Sequence, residues 1–507
     1  MNGLRFGTLL CMGALLLPAQ ELRDYERKVT EFTLANGLHF IVLERHQVPV
    51  VSFHTFVNAG SAQDPAGRTG LASLIARMAF IGTDTIGTKD WPAEKKALEE
   101  VETAYDRESG ERNKGPRANA GLLASLSAGL AAAVSLAATE ENPSEFLRAI
   151  QENGGVGVDS HATPDSIETS YSLPSNRIEL WFLLESQRMA RPAYRDFYRE
   201  RQRLATDGAN VVGSQPLAKL RQSLLAAAFE DLPYRNPTLG WPGDVGSLRV
   251  ADAKAFADTY CGPGNTVISI VGDVDSTSAQ QMAERYFGPI PAKPYPPAMN
   301  THEPPQYGPK TVVLWTDAQP ALMMGYKRPP ETHRDDAALD LIAMILGDNR
   351  TGWLHRELVE QKQIAQGVEA VASFPSSRYM NLFVVSVTPA RDRTVEENRK
   401  AVDDVMARLQ TKPIDAETLA RVKNVLRGRL LRLLGNNRTL AAILPVFYAR
   451  YGDWRRLFTI GADYDRLTAE DLQRVAAEYL IPAGRTVVYL TAQPEGGGSA
   501  TNPGVAQ

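Results

Sequence analysis

The 507-residue sequence predicts an α+β protein in which one sheet-and-helix unit is used twice, with a helical insertion in the first copy. Three observations carry this prediction. ADTYCGPGNTVISIVGDVD (257–275) recurs loosely as AEYLIPAGRTVVYLTAQPE (477–495): a helix end, a Tyr, a Pro three residues on, a turn, then a β-rich run. The openings correspond as well. FIVLERHQVPVVSFHTFVNAG (40–60) and TVVLWTDAQPALMMGYKR (311–328) both read as strand pairs, followed by helices at 70–80 and 335–347. Between the copies lies IPAKPYPPAMNTHEPPQYGP (290–309), rich in Pro and without apolar periodicity, which reads as an extended linker.

Taken in order, Met1 to Gln20 holds an early Arg5, an apolar run from Phe6 to Leu17 and the small Ala19, the layout of a secretory signal peptide. That run is too short to span a bilayer as a stable helix. Export to a bacterial periplasm is the expected destination. Leu10 precedes Cys11 where a lipid-anchor signal wants a small residue. The first domain is expected over 21–289, the linker over 290–309, the second domain over 310–493, and a Gly/Ser/Pro-rich disordered tail over 494–507. From about 92 to 142 the chain fits no repeat. A Glu/Lys/Arg-rich half and an Ala/Leu/Ser-rich half, separated by KGP, predict a helical hairpin that forms a surface arm. The arm is either a solvated surface element or a partner-binding one.

Composition excludes some functions. At 43% hydrophobic and 22% charged, with net charge −4, the chain is an ordinary globular protein with no basic cluster for nucleic acid. Nothing after residue 20 reads as a membrane span. Cys261 alone remains after signal removal, so neither an internal disulfide nor a Cys-based metal site is available.

The segment that should carry chemistry is GRTGLASLIARMAFIGTDTIGTKDW (67–91). Its core, GLASLIARMAFIGT, resembles the helix of the insulinase/pitrilysin-type (M16) zinc peptidases, where the pattern is G-L-A-H-x-x-E-H-M-x-F-x-G-T. The resemblance extends through GGVGVDSHATPDSIETSYSLPSNRIELWFLLESQRM, NPTLGWPGDVGSL, IVGDVD and GDNRTGWLHRELVEQKQIAQGVEA, and covers most of the chain from Leu34 to Leu490. In that pattern two His one helical turn apart bind zinc, the Glu between them is the general base, and a Glu from a later helix is the third ligand.

Here the frame survives and the chemistry does not. Ser73 stands at the first His, Ala76 at the Glu, Arg77 at the second His, and Asp207, in FYRERQRLATDG, at the later ligand. Ser is a poor zinc ligand, Arg is none, and Ala accepts no proton. No metal site and no cofactor are therefore expected, although active relatives carry zinc. Arg77 and Asp207 would face each other, either as a charge-assisted pair tying two helices together or as two independently solvated charges.

The resemblance further implies a clamshell of two homologous antiparallel-sheet-plus-helices domains. Peptide would add as a strand near Gly157, Val158, Asp159 and Ser160, with Asp159 standing where relatives often have Asn. An Arg and a Tyr that bind the substrate carbonyl in some relatives are replaced by Val359 and Gln366. His161, His54 and His39 fall in strand patterns and read as packing or hydrogen-bonding side chains. The acids of GDVD and YGDW read as turn residues. The expectation is a non-catalytic homologue that binds peptides or serves a zinc-bearing paralogue, or a second copy of itself, as partner subunit. Two other readings stay open: an active zinc endopeptidase with a rearranged site, and a stand-alone peptide-binding chamber.

Overall fold

The computed structural model describes residues 25–348 and 350–492; the expected signal peptide and disordered tail lie outside the described residues. The chain divides into two compact units, neither continuous in sequence. The first comprises the described part of Met1–Asp207 with Thr238–Met299 and Leu431–Phe458, and the second Gly208–Pro237, Asn300–Leu430 and the described part of Thr459–Gln507.

The first unit is built on a six-stranded sheet: β1 (Val29–Thr33), β2 (His39–Glu44), β3 (Val50–Val57), β4 (Val156–Ala162), β5 (Ile167–Pro174) and β6 (Thr266–Gly272). Its order is β1-β2-β6-β3-β5-β4. Strands with continuous apolar runs are buried on both faces, because successive side chains point to opposite sides. Phe40, Val42, Ile268 and Ile270 enter one core with Phe53, Tyr171 and Trp181. Ile41, Leu43, Val267 and Val271 enter another, with Leu440, Leu444 and Trp454.

The second unit repeats this order one strand short. Its strands are β7 (Lys310–Trp315), β8 (Ala321–Arg328), β9 (Ala365–Phe374), β10 (Asn381–Pro389) and β11 (Arg485–Thr491), arranged β7-β11-β8-β10-β9. The two repeat segments seen in the sequence are the helix-to-strand passages that end in β6 and β11. Both sheets were expected to be antiparallel, and each is so except for one parallel pairing. β6 lies between β2 and β3, and β11 between β7 and β8, each parallel to the first and antiparallel to the second. The two flanking strands come from one turn-connected pair and run oppositely, so a strand inserted between them must be parallel to one.

In the first unit, α1 (Leu71–Arg77) is followed by the insertion, α2 (Trp91–Arg112) and α3 (Ala120–Ala137). These form the predicted helical hairpin. Asn119 caps α3 by accepting from the Leu122 N–H at 2.9 Å. Leu130, Ala133 and Val134 of α3 pack with Ala97 and Val101 of α2, while Leu122 and Leu136 are exposed. By length and composition α3 could cross a membrane, with a mean hydropathy of 1.8. Then come α4 (Glu145–Glu152), α5 (Ile178–Ala190), α6 (Phe197–Ser214), α7 (Pro216–Ala228), α8 (Pro242–Ser247), α9 (Val250–Tyr260) and α10 (Ser276–Phe287). The second half contributes α11 (Asp336–Gly347), α12 (Val395–Thr411), α13 (Ala416–Leu434), α14 (Asn437–Tyr451), α15 (Arg456–Arg466) and α16 (Ala469–Tyr479).

Helices at corresponding places in the two halves are exchanged. α7, from the first half of the sequence, packs on β7, β8 and β11. α14, from the second half, packs on β3 and β6, where Leu440, Ala441 and Leu444 cover Ile41 and Leu43. A division of the chain at the Pro-rich segment alone therefore does not describe the units. An apolar helix face records that it is buried, not which sheet buries it.

Candidate functional site

The degenerate motif lies on α1, and the start of that helix is fixed from several sides. Gly70 precedes it at φ +95, a left-handed conformation that suits Gly. The Asp64 carboxylate accepts from the N–H groups of Gly70 (2.7 Å) and Ala72 (3.0 Å), which would otherwise be orphaned at a helix start. Burial pushes this carboxyl up to about 7, against the pull of the Ala72, Gly70 and Leu71 amides. The Thr69 hydroxyl donates to Asp244 (2.7 Å) and accepts from the Trp241 N–H (2.9 Å). This joins the Gly-rich turn to NPTLGWPGDV. Gly240 lies so close that a Cβ there would run into the Thr69 carbonyl.

The four positions that carry chemistry in zinc peptidases are occupied as follows. Ser73 is buried, and its hydroxyl donates to the Thr238 carbonyl at 2.6 Å. Ala76 is buried among Leu74, Met78, Leu204 and Val245. Arg77 Nη2 donates to Asp207 Oδ2 at 2.6 Å, with side chains 30% and 50% exposed, so α1 and α6 are tied by an ion pair. A tetrahedral zinc site takes three N, S or O donors and keeps one position open. These residues do not fit it: one hydroxyl is spent on backbone, one side chain has no donor atom, and the carboxylate is held by a guanidinium. Among the described residues, no group of three or more His, Cys, Asp or Glu is arranged to hold a metal ion.

The loop after α1 is anchored by a residue that no sequence motif singles out. Arg195 is 2% exposed and Glu94, on α2, is 0% exposed. Arg195 Nε donates to Glu94 Oε1 at 2.6 Å, and its Nη2 donates to Oε2 at 3.2 Å. It also donates to the carbonyls of Ile81, Thr83 and Ile86. The base of the inserted hairpin, the loop following the motif and the approach to α6 thus converge on one guanidinium. In RPAYRDF, Arg195 looks like any exposed surface Arg.

β4 forms one edge of the first sheet and pairs only with β5. α1 packs beside it. Gly157 and Asp159 are exposed, whereas Val158 and Ser160 are partly buried. Gly157 has φ +65 at an irregularity in the pairing between Val156 and Asp159, and a Cβ there would run into the Arg438 guanidinium. Asp159 is hydrogen-bonded to His161 Nδ1 at 2.8 Å, and Ser160 to the Thr169 hydroxyl at 3.2 Å. In the second unit, Val359 lies in a π-helical turn, His355–Gln361, and the exposed Gln366 accepts from Gln319 at 2.9 Å. Neither provides a cation or a phenol.

The remaining candidates have structural partners. His54 is buried with Nε2 3.0 Å from Glu168, and His39 stacks on Tyr448 with ring centroids 3.8 Å apart. In GDVD, Asp275 caps α10 through the Ser278 N–H at 2.8 Å, and Asp273 contacts His46. The half-buried Cys261 is a free thiol, and burial pushes it up to about 11.

Comparison with known proteins agrees with this architecture. Residues 247–426 match a family model described as the peptidase M16 inactive domain. The chain is 25% identical over 353 residues to a protein named zinc protease PqqE from Helicobacter pylori, covering 68% of this chain and 78% of that one. Two crystal structures share the fold. A protease from Helicobacter pylori superposes with TM-score 0.76 at 20% identity, covering 92% of this chain and 99% of that one. The periplasmic protease PqqL from Escherichia coli superposes with TM-score 0.66 at 14% identity, covering 92% of this chain and 48% of that one. With the repeated sheet order, and with α1 carrying the G-L-A…M-x-F-x-G-T frame around Ser73, Ala76 and Arg77, these similarities support a member of the M16, insulinase/pitrilysin-type, peptidase family.

Proposed function

We propose that this chain is a non-catalytic M16 homologue that binds no zinc at α1, holds extended peptides along the open edge of β4, and serves as a partner subunit. The observation that carries the reading is the Arg77–Asp207 pair, which occupies two positions where relatives place metal ligands. A cation already neutralises the one carboxylate, and Ser73 is committed to the Thr238 carbonyl. No residue remains at position 76 to activate water.

The peptide-binding part rests on β4. Its outer edge offers unpaired main-chain groups to a further strand, which gives affinity with little demand on sequence. The partner would be a zinc-bearing relative or a second copy of the chain, and the compartment the bacterial periplasm. The partner's role here is shape and peptide capture, since Val359 and Gln366 supply no oxyanion-binding side chains.

Zinc content of the purified protein, measured by elemental mass spectrometry after exposure to excess zinc and desalting, tests the reading directly. Substoichiometric zinc, with no hydrolysis of unstructured peptides by the isolated chain, is expected. One tightly held zinc per chain that is lost in Asp207→Ala would overturn it and restore the peptidase assignment.

A further inference from the structure

Where the inserted hairpin meets the body of the first unit, it roofs a cavity of about 190 Å³. The apolar walls include Trp91 and Leu98 of α2, Val134 of α3, Phe197 of α6 and Val250 of α9. Among the described residues the second unit has no counterpart of the hairpin that roofs it. The site therefore stands apart from the β4 reading and does not depend on it.

Among the charged residues that also line the cavity, Glu141 is distinguished by its surroundings. Glu141, just beyond α3, is 5% exposed, and among the described residues its carboxylate has no hydrogen-bond or ion-pair partner. Both nearby guanidiniums are already committed. Arg195 is held by Glu94 at 2.6 Å, and Arg199 by Asp196 at 3.0 Å. Lys95 and Lys254 line the same cavity without pairing with Glu141, and Lys254 lies over the Tyr194 ring instead. Glu102, a second carboxylate of the lining, accepts from the Tyr198 hydroxyl at 2.8 Å. Burial raises the Glu141 pKa, Asp196 and Glu94 add in the same direction, and Arg195 and Arg199 pull against them. A buried carboxylate without a partner is costly, and in a native structure it calls for a partner such as water, an ion or a ligand.

We propose that this cavity is a binding site for a ligand carrying an ammonium or guanidinium group on an apolar body, with the cation seated on Glu141 and the body between Trp91, Leu98 and Phe197. The volume and mixed aromatic-aliphatic walls suit one ring or one long side chain. Either a small free amine or the basic side chain of a peptide has this chemistry.

The test is isothermal titration calorimetry on the full chain with 2-phenylethylamine and its neutral counterpart 2-phenylethanol. The amine is expected to bind at least about tenfold more tightly than the alcohol, as a desolvated charge-assisted contact requires. Glu141→Gln should abolish that difference while leaving alcohol binding unchanged, which also shows the cavity to be folded in the variant. Nα-acetyl-lysinamide separates the two sources. Its binding with the same Glu141 dependence assigns basic side chains, and amine binding alone assigns small free amines. Equal affinity for amine and alcohol, no binding of any of the three probes, or amine affinity unaltered in Glu141→Gln overturns the proposal.

Discussion

Two ion pairs in the first unit have the same closest N···O distance, 2.6 Å, and should differ severalfold in what they contribute. Arg77–Asp207 has side chains 30% and 50% exposed, whereas Arg195–Glu94 has side chains 2% and 0% exposed. Water screens the first pair and competes for both partners, so its coupling should be no more than about 1 kcal/mol and should shrink in about 0.5 M salt. The second pair has little solvent to fall back on. Glu94→Ala leaves a guanidinium buried among the carbonyls of Ile81, Thr83 and Ile86, and should cost about 3–5 kcal/mol. Urea unfolding of the single and double variants of each pair measures both couplings. The reasoning fails if Arg77–Asp207 couples by more than about 2 kcal/mol, or if Glu94→Ala costs less than about 1 kcal/mol. The first outcome would mean that the pair carries the helix-tying role of a metal in energy as well as in position. The second would mean that the carbonyl cradle alone satisfies Arg195.

Three further outcomes are expected. Asp64 has its pKa raised from 3.8 to about 7 in the folded state, so its stabilising contribution is fully present below pH 3.8 and is lost as pH rises through about 7. The linked free energy is about 4 kcal/mol. Between pH 8 and pH 4 the melting temperature of the wild type should therefore rise relative to Asp64→Asn, and a gap independent of pH would contradict this. A bound peptide that adds to β4 should lose affinity when alternate backbone amides are N-methylated and tolerate methylation at those between. Uniform sensitivity along the peptide, read by fluorescence anisotropy, would exclude strand addition. With its thiol pushed up to about 11, Cys261 should react with a disulfide reagent at pH 8 more than about 100-fold more slowly than a free cysteine. A rate near that of glutathione would show the sulfur to be open to solvent.

Much of the architecture was legible because it rests on local pattern. The Tyr-x-x-Pro passages, the paired opening strands and the uncharged half of the hairpin each mark an element by periodicity or composition, and each is found where the sequence placed it. What could not be read depends on choices between equivalent partners. LAAILPVF of α14 and LRQSLLAA of α7 are apolar enough to cover a sheet, yet nothing in either segment names the sheet. The site was legible only as far as the identities at 73, 76, 77 and 207. That Ser73 is spent on the Thr238 carbonyl, that Arg77 reaches Asp207, and that Arg195 and Glu141 are buried are all consequences of packing between segments more than fifty residues apart in sequence.

The packing also explains how α1 holds its place with Ser73, Ala76 and Arg77 in the motif. In a small zinc domain the metal supplies folding free energy, and losing its ligands unfolds the chain. α1 has supports of its own. Its first turn is held by Asp64, the turn before it by Thr69 and Asp244, and its inner face by Leu71, Leu74 and Val245 in an apolar core. Ser73 adds a hydrogen bond to a neighbouring segment, and Ala76 fits among apolar side chains without bringing an unpaired polar group into the core. Arg77 and Asp207 bring opposite charges to a surface that is half in water, where two unpaired charges would have cost little. Each replacement is therefore compatible with the helix staying in place. Gly70, Met78, Phe80 and Gly82 serve packing and turn geometry, which the fold requires whatever side chains stand at 73, 76 and 77.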